Sequence, residues 1–352
     1  MSLFTRRCLA VAAGALLAAA LAPRPVLADD SLTVISGSQP TAFFEVIGDV
    51  AEAAGFYKAE HLAVNIQYAG SPNIAAQLVA SGKGDVCSIA LEPIIAGYEK
   101  GLKLTSFFAR DPHYEYALGV PYDSPIKTLA DFKGTIIGEY SVASPAEISV
   151  NSMLTGAGLK KTDYSFIPIG NGAQAISALN SRKVAGAAFP YVELALYESN
   201  AGQKYRFFFH PILKDIGDVG YATAPATIAT KGDLLKRFSR ANAEASILIR
   251  VNPQLAAKYF LQAAGLKVTD ESLKNQTNLL ELAYDQLPGF DPSSNRIGEM
   301  SERGMGILTK FLADAGFTQS VVPVSAVVTT QFITYANDFD HKAFIAEAKK
   351  MR

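Results

Sequence analysis

The stretch YAGSPNIAAQLVASGKGDV, Tyr68–Val86, passes from the end of an apolar strand through a Gly-Ser-Pro turn into a short helix that stops at a glycine. Serine at the N-cap and proline at the first helical position are strong signals for a helix start. Apolar strands are predicted on both sides, over Ala63–Tyr68 and Val86–Leu91. Parallel strands joined through a helix need helices on both faces of their sheet, so this stretch predicts an α/β fold.

The same alternation extends outward in both directions. An apolar strand over Leu32–Ile35 precedes the stretch, and the apolar run Leu102–Ala109 ends this first series at the breaker Arg110-Asp111-Pro112. A second series begins at Tyr116–Val120. Beyond about Tyr221 the pattern becomes mainly helical, and we expect these helices to pack against the first series.

The second series repeats part of the first. The segment GNGAQAISALNSRKVAGAAFPY, Gly170–Tyr191, lies 100 residues beyond the opening stretch and repeats its order of glycine turn, short helix, tight turn and strand. The match is weak residue by residue, but the layout is the same. We therefore predict two α/β lobes of similar design.

Composition narrows the classes of partner. The 352 residues are 49% hydrophobic and 18% charged with a formal net charge of -1, which is typical of a soluble globular protein with a substantial core. The 32 Lys and Arg residues merely balance the 33 Asp and Glu residues. A phosphate backbone demands a basic field, so the composition argues against a nucleic-acid partner.

The amino terminus is typical of an exported protein. Arg6 and Arg7 precede the apolar run Cys8–Leu21, and small residues up to Ala28 offer a cleavage site. The run is shorter than the about 20 residues of a membrane span. We predict a signal peptide over residues 1–28, cleavage after Ala28 and a periplasmic location, by the general secretory or the twin-arginine route. The first cysteine begins the apolar run rather than following it, so we do not expect a lipoprotein.

Candidate catalytic and metal-binding residues are sparse. The four histidines, His61, His113, His210 and His341, are scattered without the i, i+4 spacing of a helical metal pair. After cleavage the chain keeps a single cysteine, Cys87, which we interpret as a buried strand residue. We therefore predict no catalytic residue, no metal and no cofactor.

Two helix starts are candidates for ligand binding. Ser71-Pro72 opens the helix of the first stretch, and Ser144-Pro145 opens one in the second series, where Glu147 has capping-box spacing. Each is also an ordinary good helix cap. In paired α/β lobes, however, a helix that starts after a strand offers free amides and a positive dipole to an anion. We expect the two starts to face each other across a cleft.

Arg110 and two aromatic residues add to these candidates. Arg110 follows an apolar strand and can bind a carboxylate or sulfonate through two hydrogen bonds. A surface ion pair with Asp111 or Glu115 is an equally good interpretation. Phe43 and Tyr191 lie near predicted strand ends, where each can contact an aromatic ligand or pack in the core.

Several whole segments resemble a known family. GFYKAEHLAVNIQYAGSPNIAAQLVASGKGDV, Gly55–Val86, resembles the G-F-F-K-x-E-G-L-x-V run, glycine-serine turn and A-L-x-x-G-x-x-D ending of periplasmic substrate-binding proteins of ABC importers. The likeness is to the nitrate, sulfonate, taurine and thiamine-pyrimidine-precursor group. Ser124–Tyr140 and Ala175–Phe189 match the second-lobe pattern of that group, whereas His61 and Gly84 depart from its usual residues.

The resemblance implies two lobes, each a mainly parallel sheet flanked by helices, joined by a hinge that closes on a ligand. Lobe I would comprise residues 29–117 and 218–352, and lobe II residues 118–217. The pocket residues of the family map onto positions of this sequence, and we add Arg110 to them. The expected ligand-binding residues are Gln39, Phe43, Ser71, Asn73, Ser88, Arg110, Tyr140, Ser141, Ser144, Asn171 and Tyr191.

The resemblance also implies a function. We expect a monomeric solute-binding protein that captures a small organic anion, a sulfonate or carboxylate including aromatic ones, and delivers it to an ABC permease and ATPase complex in the inner membrane. The main alternative is a pyrimidine-precursor binding protein for thiamine salvage. Two further alternatives are a ligand-sensing protein and an enzyme like the pyrimidine-precursor synthases. Those synthases share a cysteine-rich segment, whereas Cys87 is the single cysteine that signal-peptide cleavage would leave in this chain.

Overall fold

The structure is a computed structural model that describes residues 30–40, 45–111, 116–212, 219–285 and 292–352. The predicted signal peptide lies outside the described residues. The strands of the described part are β1 (Asp30–Ser36), β2 (Leu62–Tyr68), β3 (Val86–Ala90), β4 (Thr105–Asp111), β5 (Tyr116–Pro121), β6 (Thr135–Glu139), β7 (Tyr164–Pro168), β8 (Gly186–Pro190), β9 (Tyr205–Phe209) and β10 (Val219–Thr223).

The helices alternate with these strands and then dominate the carboxyl-terminal part. They are α1 (Val46–Ala53), α2 (Phe56–Ala59), α3 (Pro72–Ala80), α4 (Glu92–Tyr98), α5 (Pro145–Gly156), α6 (Ala173–Asn180), α7 (Tyr191–Ala201), α8 (Pro225–Val251), α9 (Pro253–Ala263), α10 (Asp270–Asp285), α11 (Glu302–Asp314), α12 (Val324–Val327), α13 (Ile333–Ala336) and α14 (His341–Ala348). Across the described ranges, none of them combines the length and the apolar character that crossing a membrane requires.

The strands form two mixed sheets of the same design. The first has the order β2-β1-β3-β10-β4 and the second β7-β6-β8-β5-β9. In the first, β1 runs parallel to β2 and β3, and β10 runs antiparallel to β3 and β4. In the second, β6 runs parallel to β7 and β8, and β5 runs antiparallel to β8 and β9. Each sheet has four strands in one direction and one against them, so the prediction of two mainly parallel α/β sheets is confirmed.

The chain changes sheet twice. It leaves the first sheet after Asp111 and enters the second at Tyr116, then leaves the second after Phe209 and returns at Val219. The expected boundary at 117 falls inside β5, which pairs with β8 and β9 from its first residues onward. We propose that the lobes divide in the two connections instead, at 111–116 and 209–219.

The carboxyl-terminal helices cover the first sheet. Helices α8 and α9 pack against α1, and their apolar residues share a buried cluster with Leu32 and Val34 of β1. The ring of Tyr57 stacks on that of Phe238 in α8 with centroids 5.5 Å apart. These helices therefore pack against the first series, as the sequence pattern indicates.

The internal repeat in the sequence corresponds to a repeated structural unit. Helices α3 and α6 each bury one apolar face, α3 through Ala75 and Val79 and α6 through Ala175 and Leu179. Each helix ends in a tight turn that contains a residue with positive φ, and a fully buried strand follows, β3 in one lobe and β8 in the other. The two helices consequently begin at equivalent edges of the two sheets.

Candidate ligand-binding cleft

A cavity of about 230 Å³, called the cleft below, lies between the two sheets at the edge where their parallel strands end. The first lobe lines it with Gly37, Ser38, Gln39, Gly70, Pro72, Ser88, Ile89, Ala90, Arg110 and Val219. The second lobe lines it with Tyr116, Tyr140, Gly170, Asn171, Pro190 and Glu193. Both lobes therefore contribute their strand ends and the loops that follow them.

Two helices begin at the cleft with open amino termini, α3 from the first lobe and α6 from the second. Their N-cap residues are Ser71 and Gly172, and no described side chain accepts a hydrogen bond from the first amides of either helix. Neither helix has an acidic residue in its first turn. The free amides and the positive end of each helix dipole are available to an anion from both sides of the cleft.

Glycine makes both helix starts possible. A Cβ at Gly37 would lie 2.8 Å from the Cα of Pro72, so a larger residue after β1 would push the start of α3 away. Gly172 has φ 60° and ψ -129°, which side-chain-bearing residues avoid, and this conformation turns the chain from β7 into α6. The close approach at α3 and the backbone turn at α6 both depend on a missing side chain.

Arg110 lies on the floor of the cleft, paired with an acid from the first lobe. Its Nη1 is 3.8 Å from the Oε1 of Glu45, and 4% and 1% of the two side chains are exposed. The hydroxyls of Ser36 and Ser38 donate to the same Oε1 over 2.6 and 2.9 Å. The interpretation of Arg110 as a surface residue is wrong, because the residue is 7% exposed and lies against Glu45, which precedes α1.

Glu45 and Asp49 are two buried acids of the first lobe. Burial, with a smaller contribution from nearby Glu45, raises the pKa of Asp49 to about 8, so this carboxyl is mainly protonated at neutral pH. The charge of Glu45 is then offset by that of Arg110. The open helix starts add a positive potential to the cleft.

Glu193 brings a carboxyl group to the second-lobe side of the cleft. Burial raises its pKa to about 7. The hydroxyl of Tyr197 donates to its Oε2 over 3.3 Å and accepts a hydrogen bond from the amide of Gly172 over 2.9 Å. This chain of hydrogen bonds connects the carboxyl of α7 to the turn that starts α6.

The structure brings five of the eleven expected ligand-binding residues to the cleft: Gln39, Ser88, Arg110, Tyr140 and Asn171. Ser71 lies between two lining residues, Gly70 and Pro72. Asn73 lines a separate cavity of about 630 Å³. Phe43 lies outside the described residues.

Ser141, Ser144 and Tyr191 are not among the lining residues of the cleft. Ser144 is 1% exposed, and its hydroxyl caps α5 by accepting from the amide of Glu147 over 3.1 Å. The ring of Tyr191 meets that of Phe207 edge to face with centroids 5.1 Å apart. The start of α5 therefore does not line the cleft, although Ala143 and Ile148 line the separate cavity together with Asn73. The turn before α6 lines the cleft together with the start of α3.

Sequence reasoning missed two of the acids that shape the site, Glu45 and Glu193. Glu45 directly follows the two phenylalanines after β1, and Glu193 is the third residue of the helix after β8. The repeat between the two series did indicate the position of the second-lobe turn, because it aligns Gly170 with Gly70. Nothing in the local sequence marks either acid as buried.

Cys87 and the metal-binding residue types give no sign of a reactive centre. The thiol of Cys87 is fully buried in β3, and burial raises its pKa to about 12, which is the opposite of what a nucleophile needs. The described part of the chain holds no group of three His, Cys, Asp or Glu residues arranged to bind a metal.

Residues 48–256, more than half of the chain, match the model of the family described as NMT1/THI5 like. The chain belongs to this family. No curated protein matches it by sequence.

Solved structures share its fold over most of their length. A protein from Bordetella bronchiseptica RB50 is 23% identical, with a TM-score of 0.71 over 88% of this chain and 97% of that one. The periplasmic aliphatic sulphonate binding protein SsuA from Escherichia coli is 17% identical, with a TM-score of 0.63 over 85% of this chain and 92% of that one. The alkanesulfonate-binding protein SsuA from Xanthomonas axonopodis pv. citri, bound to MOPS, is 15% identical, with a TM-score of 0.64 over 85% and 98%. This NMT1/THI5-like chain has the two-lobed fold of periplasmic binding proteins, as the sequence resemblance implied.

An enzyme has the same fold. The desulfurization enzyme DszB is 12% identical, with a TM-score of 0.56 over 86% of this chain and 98% of that one. Likeness at such identities shows the fold alone, so function has to be argued from the residues of the cleft.

Proposed function

We propose that this protein is the extracytoplasmic solute-binding component of an ABC importer and that it binds a small organic anion, a sulfonate or carboxylate, in the cleft. The observation that carries the proposal is the pair of open helix starts, α3 and α6, which reach the cleft from opposite lobes. A ligand that accepts hydrogen bonds from both would hold the lobes together, which is how hinge closure is coupled to binding.

The energies favour a ligand with an apolar part. Micromolar affinity requires about 8 kcal/mol. A helix start contributes about 0.3 to 1 kcal/mol, or ~2 when partly buried, and a charge-assisted hydrogen bond adds about 1.5 to 3 kcal/mol. Ordering costs reduce these gains. Apolar contact with Ile89, Tyr116 and Tyr140, which line the cleft, would supply the remainder.

The partner and the location follow from this role. The two SsuA proteins are binding proteins for sulfonates, and the shared fold supports a small-molecule ligand and a membrane permease for this chain as well. Under the proposal the chain is exported by the signal peptide at residues 1–28 and acts in the periplasm as a monomer. Delivery to a permease, rather than to a sensor, is part of the proposal.

A second candidate ligand is a pyrimidine precursor. Glu193 favours it, because a carboxyl with a pKa of about 7 can donate to or accept from a heterocyclic nitrogen at neutral pH. The NMT1/THI5-like family membership is compatible with such a ligand. An enzymatic role has less support, because the single cysteine that export would leave is buried and its pKa is raised.

A thermal-shift screen of the chain from Asp29 onward tests the proposal. We expect alkanesulfonates or aromatic acids to raise the melting temperature, since a ligand at 100 times its Kd stabilises by about 2.7 kcal/mol. Asn171→Trp should abolish the shift by filling the cleft, and Asn295→Trp, a substitution of another exposed residue that does not line the cleft, should preserve it. Stabilisation by pyrimidines alone would replace the anion with the second candidate, and turnover of any ligand would overturn the binding-protein role.

A further inference from the structure

A second cavity of about 280 Å³, called the side compartment below, adjoins the cleft. Gln39, Asn171 and Glu193 line both spaces, so the two meet along a shared wall. Each space by itself is below the about 300 to 1,000 Å³ of typical small-molecule sites, whereas the two together fall within that range.

The side compartment is built by elements of both lobes. Val192 and Leu196 on α7 of the second lobe face Phe260 on α9 and Leu279 on α10, which belong to the first. Val192 is part of the same buried cluster as Leu279. These four side chains give the compartment an apolar wall that continues away from the cleft.

One polar group is buried in this apolar wall. Gln276 on α10 is 9% exposed, and its Nε2 finds no hydrogen-bond partner within the described ranges. A buried donor without a partner is costly, and native proteins nearly always satisfy such groups. A ligand atom that accepts a hydrogen bond from this amide would remove the cost.

We propose that the side compartment is the second half of the ligand site, and that it binds an apolar body carrying a hydrogen-bond acceptor opposite Gln276. The inference rests on the proposed function, since the acidic head of the same ligand would lie in the cleft at the starts of α3 and α6. The ligand class is narrowed accordingly to an elongated organic anion with a distal ether, carbonyl or hydroxyl oxygen. An inorganic anion or a two-carbon sulfonate would occupy the cleft alone.

A series of alkanesulfonates of increasing chain length tests, in the wild-type protein, whether a bound ligand extends into the side compartment. Kd values are determined calorimetrically for ethanesulfonate, butanesulfonate and hexanesulfonate. Each methylene that enters an apolar site is expected to tighten binding about fourfold. We expect hexanesulfonate to bind at least about tenfold more tightly than ethanesulfonate.

Leu196→Trp, which fills the compartment, should remove this gain, so that the three sulfonates bind the variant with similar Kd values. If ethanesulfonate binds and chain length has no effect, the side compartment is not part of the site and the proposed function stands. If none of the sulfonates binds, the proposed function fails and this inference fails with it. The series needs no variant, so the result holds even if Leu196→Trp does not fold.

The role of Gln276 is tested with two probes of similar shape, 4-acetylbenzenesulfonate and 4-isopropylbenzenesulfonate. The sulfonate is common to both, and at the distal position only the acetyl group accepts a hydrogen bond. Gln276→Leu should weaken the acetyl probe about threefold to tenfold relative to the isopropyl probe. Gln262→Leu, an exposed change on neighbouring α9, should leave the ratio as in the wild type. An unchanged ratio in Gln276→Leu would overturn the assignment of this amide to the ligand.

Discussion

The Nη1 of Arg110 lies 3.8 Å from the Oε1 of Glu45, and both side chains are almost completely buried beneath the cleft. The hydroxyls of Ser36 and Ser38 hold that carboxylate oxygen from the other side. Removing Arg110 from a buried ion pair of this kind is costly, because Glu45 would keep its charge away from water without this counter-ion. The pair therefore fixes the floor of the cleft.

Removing one member of this pair should destabilise the protein. We expect Arg110→Gln to lower the free energy of unfolding by about 3 kcal/mol, because it leaves Glu45 buried without its counter-ion. Glu45→Gln together with Arg110→Gln should recover part of that loss. Urea unfolding of the two single variants and the double variant measures the coupling, with Arg303→Gln on the exposed face of α11 as the control. Strictly additive losses would show that the two side chains do not interact.

The backbone turn at Gly172 should be needed for binding as well as for stability. Gly172→Ala forces a side chain into a conformation that costs about 1 to 3 kcal/mol, and relaxation would displace the start of α6. Gly158→Ala is the matched control, since Gly158 also has a positive φ but follows α5 away from the cleft lining. Both variants should unfold at lower urea concentration. Only Gly172→Ala should weaken ligand affinity beyond what reduced folding explains, and equal affinities would argue against α6 as a binding element.

Glu193 should make stability depend on pH in a definite direction. Its pKa is raised from 4.5 to about 7 by burial, so the carboxyl contributes stability that is complete below about pH 4.5 and is lost as the pH rises through 7. Glu193→Gln cannot ionise and should escape this loss. At pH 8 we expect the variant to be more stable than the wild type by up to roughly 3 kcal/mol.

Urea unfolding at pH 4.5 and pH 8 compares the two proteins, with the exposed substitution Glu302→Gln as the control. Ionised Glu193 should also repel an anionic ligand, so the wild type should bind sulfonates more weakly at pH 8 than at pH 6. A wild type and Glu193→Gln variant with the same pH profile would mean that this carboxyl does not titrate in the range.

His210 should confer the opposite dependence on pH. Its Nδ1 accepts from the amide of Ile212 over 3.2 Å, its Nε2 lies 3.3 Å from the hydroxyl of Ser152, and its ring packs against Phe311 of the first lobe. Burial lowers the pKa to about 4 from 6.5. The neutral ring therefore contributes stability above about pH 6.5 that is lost as the pH falls towards 4.

His210→Asn, which keeps an acceptor but does not titrate, should lose less stability between pH 7 and pH 5 than the wild type. His61→Asn removes an exposed histidine and tolerates the same positive φ, so its profile should follow that of the wild type. Parallel profiles for the wild type and both variants would assign the acid sensitivity to other groups.

Local signals in the sequence predicted the helix starts well and their partners poorly. The Ser-Pro pairs at 71–72 and 144–145 both begin helices, α3 and α5, as expected. Only the first of these starts lines the cleft, because Ser144 caps α5 itself and lies buried. The glycine turn at 170–172 had a weaker helix signal, yet it lines the cleft together with the start of α3. A capping motif reports a helix start and carries no information about what faces it.

The sequence by itself determined the alternation of strands and helices, the repeat at an offset of 100 residues and the resemblance to the family. It could do so because hydrophobic periodicity and turn chemistry act over a few neighbouring residues. Tertiary structure alone decided that Arg110 meets Glu45 across 65 positions of chain. It also decided that Glu193 is buried enough for its pKa to rise, and that Gln276 faces a compartment between the lobes. The free energy of a charge or an amide depends on the groups that surround it in space, and those groups come from distant parts of the chain.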